Sequence, residues 1–286
     1  MRYNDSREIC FARFAELAER DKMETVTKIN ENIYRLTTAY KDIFTTVYVI
    51  KTEKGAVLFD AASHDEDAEN HIVPLLQKLG VSAQELKYIF ISHKHADHAG
   101  SLKRLIQDFP DTCILSRSPI LAEEYQEYSV LAPEDGDVLL DVLRVVTIPG
   151  HTKDSSALFD TRTKTLITGD CMQLYGIYGS GDWACNISLP VEHFAALEKV
   201  RAMDIDQVLT AHDYHPYGYW YRGREEIEQA LDACVAPLLQ IRDLIKDNPE
   251  LDDAAIRQAY NASGKLPTVK VSVVTAMRAA INEGKI

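Results

Sequence analysis

Residues 93–98 read His-Lys-His-Ala-Asp-His, and no other stretch constrains this chain as tightly. Three imidazoles and a carboxylate in six positions form a metal-binding pattern. His93 and His95 are two apart, so at the end of a strand they point the same way. Asp97 and His98 follow at once, where the chain turns into the next helix. One short loop therefore presents ligands to two neighbouring ions, the first pair to one and the second pair to the other.

A zinc-like ion takes about four ligands, and a catalytic one keeps a position open for water. Each pair thus needs a partner from elsewhere. His151, in Pro149-Gly150-His151-Thr152, stands on a turn after the apolar strand expected over 142–148 and is a candidate third ligand beside His93 and His95. His212, in Thr210-Ala211-His212-Asp213, follows the apolar run Val208-Leu209 and is a candidate beside Asp97 and His98. Asp170 comes directly after Thr165-Leu166-Ile167 and Thr168-Gly169, and its carboxylate can sit between the ions. Loops at strand ends, gathered at one edge of a sheet, are the usual place to build such a site.

These motifs, in this order, resemble those of the metallo-β-lactamase superfamily of hydrolases over roughly residues 30–220. The strand ending Val57-Leu58-Phe59-Asp60 matches the first family motif, whose aspartate lies behind the metals. The resemblance implies one ion on His93, His95 and His151, a second on Asp97, His98 and His212, and Asp170 as the bridge. It also implies a four-layer αββα sandwich, where periodicity alone gives α/β or α+β. The β-lactam hydrolases of the family lack the aspartate bridge, whereas glyoxalase II, the lactonases and ribonuclease Z have it. The likeness is therefore to glyoxalase II and the lactonases rather than to antibiotic resistance.

The coarse pattern places strands at 33–37, 45–51, 56–60 and 88–92, with helices at 65–79, ended by Gly80, and at 100–109, closed by Pro110. A strand at 113–115, an acidic helix near 120–128 and a meander over 138–170 follow, with a hairpin turn at Thr161-Arg162-Thr163-Lys164. The expected organisation is an amphipathic helical segment over 1–28, a catalytic domain over 29–221, and a helical extension over 222–286 with helices near 224–246, 252–260 and 269–282.

Two aromatic regions are candidate substrate walls. Tyr175, Tyr178 and Trp183 lie on a glycine-rich stretch after Asp170, and Tyr217 belongs to a tyrosine-rich patch after His212. His215 is close to His212 in sequence but is not expected to be a ligand, and Cys171 beside Asp170 reads as a small buried residue.

Composition sets the class. The five cysteines are scattered and odd in number, which suits a reducing, cytoplasmic setting. No apolar run approaches the ~18 residues a membrane span needs. The net charge of −13 opposes phosphate backbones. The expected partner is a small molecule, with neither nucleic acid nor membrane, and a homodimer is open. The expected cofactors are two divalent ions, zinc first, with iron or manganese also compatible. Their shared hydroxide would attack a small ester, lactone or thioester, with Asp97 both ligating and passing a proton. A phosphodiesterase or nuclease on the same scaffold is the alternative, but it needs a basic face or a long gripping insertion. A non-hydrolytic redox or structural metal protein is the third. Flavodiiron relatives replace a histidine of the first cluster with glutamate and add a flavin domain, and the sequence has neither feature.

Overall fold

The computed structural model describes residues 26–175, 183–214, 216–265 and 267–286. Seven strands form a first sheet in chain order: β1 (Val26–Lys28), β2 (Ile33–Tyr40), β3 (Ile43–Thr52), β4 (Gly55–Phe59), β5 (Leu86–Ile91), β6 (Cys113–Ser116) and β7 (Val130–Leu131). Pairing is antiparallel from β1 to β4 and parallel from β4 to β7. A second sheet contains β8 (Val138–Leu139), β9 (Leu143–Thr147), β10 (Ser156–Asp160), β11 (Thr165–Ile167), β13 (Gln207–Tyr214) and β14 (Gly218–Arg222), in the order β14-β13-β11-β10-β9-β8. The short strands β12 (Ala184–Cys185) and β15 (Thr268–Val269) pair parallel with one another.

Alternation along the strands builds the layers, because successive side chains point to opposite faces. Val57 and Phe59 of β4, Val145 of β9, Leu158 of β10, Ile167 of β11 and Leu209 of β13 meet in one core between the sheets. Their neighbours face outward. Leu58 packs with Ile72, Leu76, Leu102 and Leu105 from helices on the first sheet. Val146, Leu166 and Val208 pack with Leu197, Val200, Ile227 and Leu231 from the helices Pro190–Arg201 and Gly223–Asp247 on the second. Helix, sheet, sheet, helix is the αββα order. The helices Asp253–Ala262 and Val271–Asn282 close a fourth cluster around Tyr260, Val274 and Met277, which also takes Cys185 and Ile187 from beside β12.

Several expected boundaries shift for local reasons. Val26–Lys28 pairs with β2, so the chain has joined the sheet before residue 28. The expected helix over 65–79 is Asp65–Asp67, a wider π turn at Ala68–Ile72, then Val73–Lys78. Pro74 explains the widening, since it has no N–H to offer the preceding turn and its ring crowds the carbonyl there. The helix expected from 100 begins earlier, as Ala96–Ala99, before Leu102–Asp108. The one expected over 120–128 is only Pro119–Glu124. The amphipathic segment over 1–25 lies outside the described residues, and no described helix is long and apolar enough to cross a membrane.

Candidate metal centre

The site collects where β5, β9, β11 and β13 end or bend at one edge of the two sheets. The loop after β5 carries His93 and His95, and the Ala96–Ala99 turn places Asp97 and His98 one step further on. His151 follows β9, and Asp170 sits in the short 3-10 turn Gly169–Cys171 after β11. His212 was expected just past a strand. It lies within β13, where the register with β14 shifts between Leu209 and Tyr214. Such an irregularity re-aims a side chain that regular pleating would send elsewhere.

Close packing at the strand ends fixes this geometry. Asp60 has φ 63°, a left-handed backbone that is uncommon outside glycine and that aspartate adopts more readily than most side chains. Its Oδ1 accepts from the Ser92 amide at 2.7 Å, and its Oδ2 accepts from Ser92 Oγ at 3.0 Å and from His98 Nδ1 at 2.7 Å. Gly169 has φ +53°, and a Cβ there would meet Ser92 Oγ at 2.5 Å. Only glycine lets the Asp170 turn pass this close to the Asp60–Ser92 contact.

The hydrogen bonds behind the cluster decide which imidazole nitrogens are bare. His151 Nδ1 lies 2.7 Å from the Asn186 carbonyl and His212 Nδ1 lies 2.7 Å from the Phe44 carbonyl. Carbonyls only accept, so both Nδ1 atoms carry the proton and both Nε2 atoms present lone pairs. Ser92 Oγ donates its proton to Asp60, so at 3.1 Å it accepts from His93 Nδ1, which leaves His93 Nε2 bare as well. Fixing the outer nitrogen in this way orients a metal-binding histidine.

The inner atoms form two groups. His93 Nε2 and His151 Nε2 each lie 2.9 Å from His95 Nδ1 and 3.2 Å from each other. With Asp170 they make one quartet, and Asp97, His98, Asp170 and His212 make the other, all atoms of each lying within 4.8 Å. Asp170 is divided between them. Its Oδ1 is 2.9 Å from His212 Nε2 and 3.4 Å from His98 Nε2, while its Oδ2 is 3.6 Å from His151 Nε2.

Electrostatics separate the two groups. Burial pushes His93 well below the usual histidine range and His151 down to about 4, so these lone pairs stay unprotonated. Burial works against charging His98 too, but Asp97, Asp60 and Asp170 outweigh it and hold that imidazole well above its ordinary value. His212 is raised against burial by Asp170, and Asp170 is held well below the carboxylate range, also against burial, by His212 and His98. In the second group Asp97 and Asp170 supply the negative charge that draws a cation. His98 Nε2 and Asp170 Oδ1 are buried without a properly aligned hydrogen-bond partner. Converging lone pairs, two buried carboxylates and these orphaned atoms fit divalent ions.

A cavity of about 490 Å3 opens over both groups, walled by Tyr40, Ile43, Gln173, Trp183, Asn186 and Lys270. Trp183 faces Tyr40 at 6.0 Å between ring centroids and donates its indole N–H to Asp42 at 2.6 Å. Gln173 donates to Asp170 Oδ2 at 3.4 Å and accepts from the Asn186 amide at 3.0 Å. Sequence reasoning missed Tyr40, Gln173, Asn186 and Lys270. Gln173, three residues after Asp170, was within reach of a local argument, whereas Lys270 enters only through the β12–β15 pairing.

The other expected aromatics lie elsewhere. Tyr175 and Tyr217 line a separate hollow with Gln229 and Asp232. The post-His212 patch does not wall the metal pocket, because β14 folds back onto β13: Tyr214 and Tyr221 enter the second-sheet core, and Tyr219 lies under Arg35 at 3.6 Å. Tyr178 and His215 lie outside the described residues. Cys171 packs in the same core as Tyr214, its thiol pushed well up by burial.

A family model described as the metallo-beta-lactamase superfamily matches residues 40–216. The uncharacterized protein YobT of Bacillus subtilis is 29% identical over 57% of this chain and 76% of its own length. A hydroxyacylglutathione hydrolase of Prochlorococcus marinus is 24% identical over 59% of this chain, and the match spans 64% of that relative. Among solved structures, a metallo-beta-lactamase from Pontibacter korlensis superposes with a TM-score of 0.57 at 21% identity, covering 74% of this chain and 98% of its own. A flavo-diiron protein variant from Thermotoga maritima superposes at 0.59 and 18% identity, covering 76% of this chain and 62% of that one.

Proposed function

This chain belongs to the metallo-beta-lactamase superfamily, and we propose that it is a hydrolase that uses two divalent ions, zinc by preference, on a small ester, lactone or thioester. The observation that carries the two-ion reading is the split of the Asp170 carboxylate, one oxygen toward each histidine group. Bound divalent ions supply a Lewis acid for the substrate oxygen and a water acidified to near neutrality.

The chain's own residues do the rest. Gln173 and the Asn186 carbonyl hydrogen-bond to Asp170 and His151 and so orient these two side chains. Asp97, whose carboxylate lies 3.2 Å from His98 Nε2 and 3.5 Å from His212 Nε2, would help hold the second ion and is the residue placed to pass a proton. Trp183 and Tyr40 give the cleft an apolar-aromatic wall that suits a compact acyl compound. Hydroxyacylglutathione hydrolases among the relatives support an acyl compound as substrate. The net charge of −13 weighs against polyanionic nucleic acid.

The test is a panel of small esters, lactones and thioesters, run beside RNA at low salt on one zinc- or manganese-loaded sample. Turnover of at least one acyl compound, lost on Asp170→Ala, is expected. An inert acyl panel beside efficient RNA cleavage would replace this reading with the nuclease one.

A further inference from the structure

A second hollow, of about 500 Å3, opens on the far side of His95. His95 lines both this hollow and the metal pocket, so the two adjoin at that imidazole. Three loops each bring one cation to it: Lys94 from the ligand loop, Arg117 from just after β6, and Lys153 from the turn after His151. All three side chains are exposed. Asp154 is the one carboxylate of the lining, and Ile120 and Leu189 add apolar surface.

These three cations share one hollow, and folding does not use their charge. Arg104, Arg162, Arg201 and Arg278 are each neutralised by a carboxylate. Among the described residues Lys94, Arg117 and Lys153 take part in no ion pair, and Arg117 spends one N–H on the Pro133 carbonyl at 2.8 Å. In a chain of net charge −13, three unpaired cations around one concavity beside the metal ligands make a local field of opposite sign. A guanidinium offers a planar fork to a carboxylate or phosphate, and the lysines add point charges on adaptable stems.

Resting on the hydrolase reading above, we propose that this hollow holds an anionic end of the substrate, a carboxylate or phosphate monoester, while the carbonyl to be cleaved lies in the metal pocket on the other side of His95. The substrate is then a small acyl compound with a charged tail. Lys94, Arg117 and Lys153 choose among acyl compounds without touching the reacting atoms.

Three thioesters test this, identical except for a terminal carboxylate, a terminal phosphate monoester or a neutral methyl amide. They are compared on the metal-loaded enzyme and on a Lys94→Ala/Arg117→Ala/Lys153→Ala variant shown to hold the same metal content. Exposed ion pairs each contribute a few-fold, so the native kcat/KM for an anionic thioester should exceed that for the neutral one by about tenfold. In the variant the ratio should fall to near one, and added salt should erode it in the native enzyme. Carboxylate and phosphate arms that differ identify the preferred tail. A native ratio near one, or a ratio that survives the triple substitution, overturns the proposal and leaves the hydrolase reading intact. Should none of the three thioesters turn over, the ester and lactone panel still decides the hydrolase reading, and calorimetric titration with glutarate and glycerol phosphate decides the subsite. Binding weakened in the variant supports it, and equal binding overturns it.

Discussion

The imidazole of His98 and the carboxylate of Asp60 meet at 2.7 Å, both side chains wholly shielded from solvent. This contact joins the end of β4 to the ligand loop. It holds the Nδ1 proton so that Nε2 faces Asp97 and Asp170. A buried carboxylate with three donors around it is costly to remove, because each donor is then left unpaired in a dry setting.

Replacing Asp60 with Ala should therefore weaken metal binding at the His98 group by about 10- to 100-fold, the usual effect of losing a residue that orients a ligand. Competition with a chelator of known affinity measures it. Asp60→Asn, which keeps an acceptor oxygen, should fall between the native protein and the alanine variant. Unchanged affinity in both variants would mean that the ligand loop holds its own shape.

The shared carboxylate makes a sharper contrast. Native protein reloaded with zinc or manganese should carry close to two ions per chain, since Asp170 belongs to both ligand groups. Asp170→Ala should lower that ratio and reduce hydrolysis by a factor of about 100 or more. Cys171→Ala, next in sequence but turned into the core, should change neither. Elemental analysis alongside kinetics checks both, and a native ratio that stays at one would end the two-ion model.

The candidate metal centre was legible in the sequence because its chemistry is local. Six consecutive residues supply four candidate ligands, and His151 and Asp170 stand just past apolar strands whose ends can be read from hydrophobic pattern. The apolar run 56–60 likewise read as a strand, and the structure shows Leu58 on one face and Val57 and Phe59 on the other, both buried. What escaped depends on tertiary placement. Lys270 is more than fifty residues beyond the last ligand, and nothing near it in sequence signals a pocket. The tyrosines after His212 looked like a wall because aromatics near a ligand often are one, but the β13–β14 hairpin spends Tyr214 and Tyr221 on packing. The π turn before Pro74 is a compromise between a helical pattern and one missing donor, and pattern alone reads through it.

His193 supplies a pH prediction apart from the ligands. It is buried beneath Gly150, where a Cβ would meet its side chain at 2.7 Å, and burial lowers it from 6.5 to about 4. Between these values the unfolded chain binds a proton that the folded chain refuses. Its neutral burial thus contributes fully above 6.5, and stability is lost as pH falls toward 4. In chelated protein, His193→Leu should flatten the fall in stability between pH 6.5 and 4 by up to about 3 kcal/mol. Denaturant melts across that window measure the slope, and parallel curves for both proteins would refute the assignment.

The C-terminal helices yield the last prediction, because they serve two cores at once. Ile227, Ala230, Leu231 and Cys234 of the helix Gly223–Asp247 share a cluster with Leu166 and Val208 of the second sheet. A chain ended at residue 222 would expose that sheet face. Each large aliphatic side chain so uncovered forfeits about 1.5–3 kcal/mol, against a total stability of about 5–15 kcal/mol for an ordinary domain. The truncated chain should not give a cooperative thermal transition. Met277→Ala is gentler. Met277 is buried in the outer cluster with Val269 and Cys185, so the cavity should cost about 2–5 kcal/mol there. The loss falls on the β12–β15 pair that carries Trp183 and Lys270 to the pocket. Hydrogen exchange should accelerate at Cys185 and Val269 and stay slow at Ile167, with KM rising more than kcat falls. A truncated chain that melts cooperatively, or a Met277→Ala protein with unaltered exchange at Cys185, would show that the helices pack on the sheet without supporting the site.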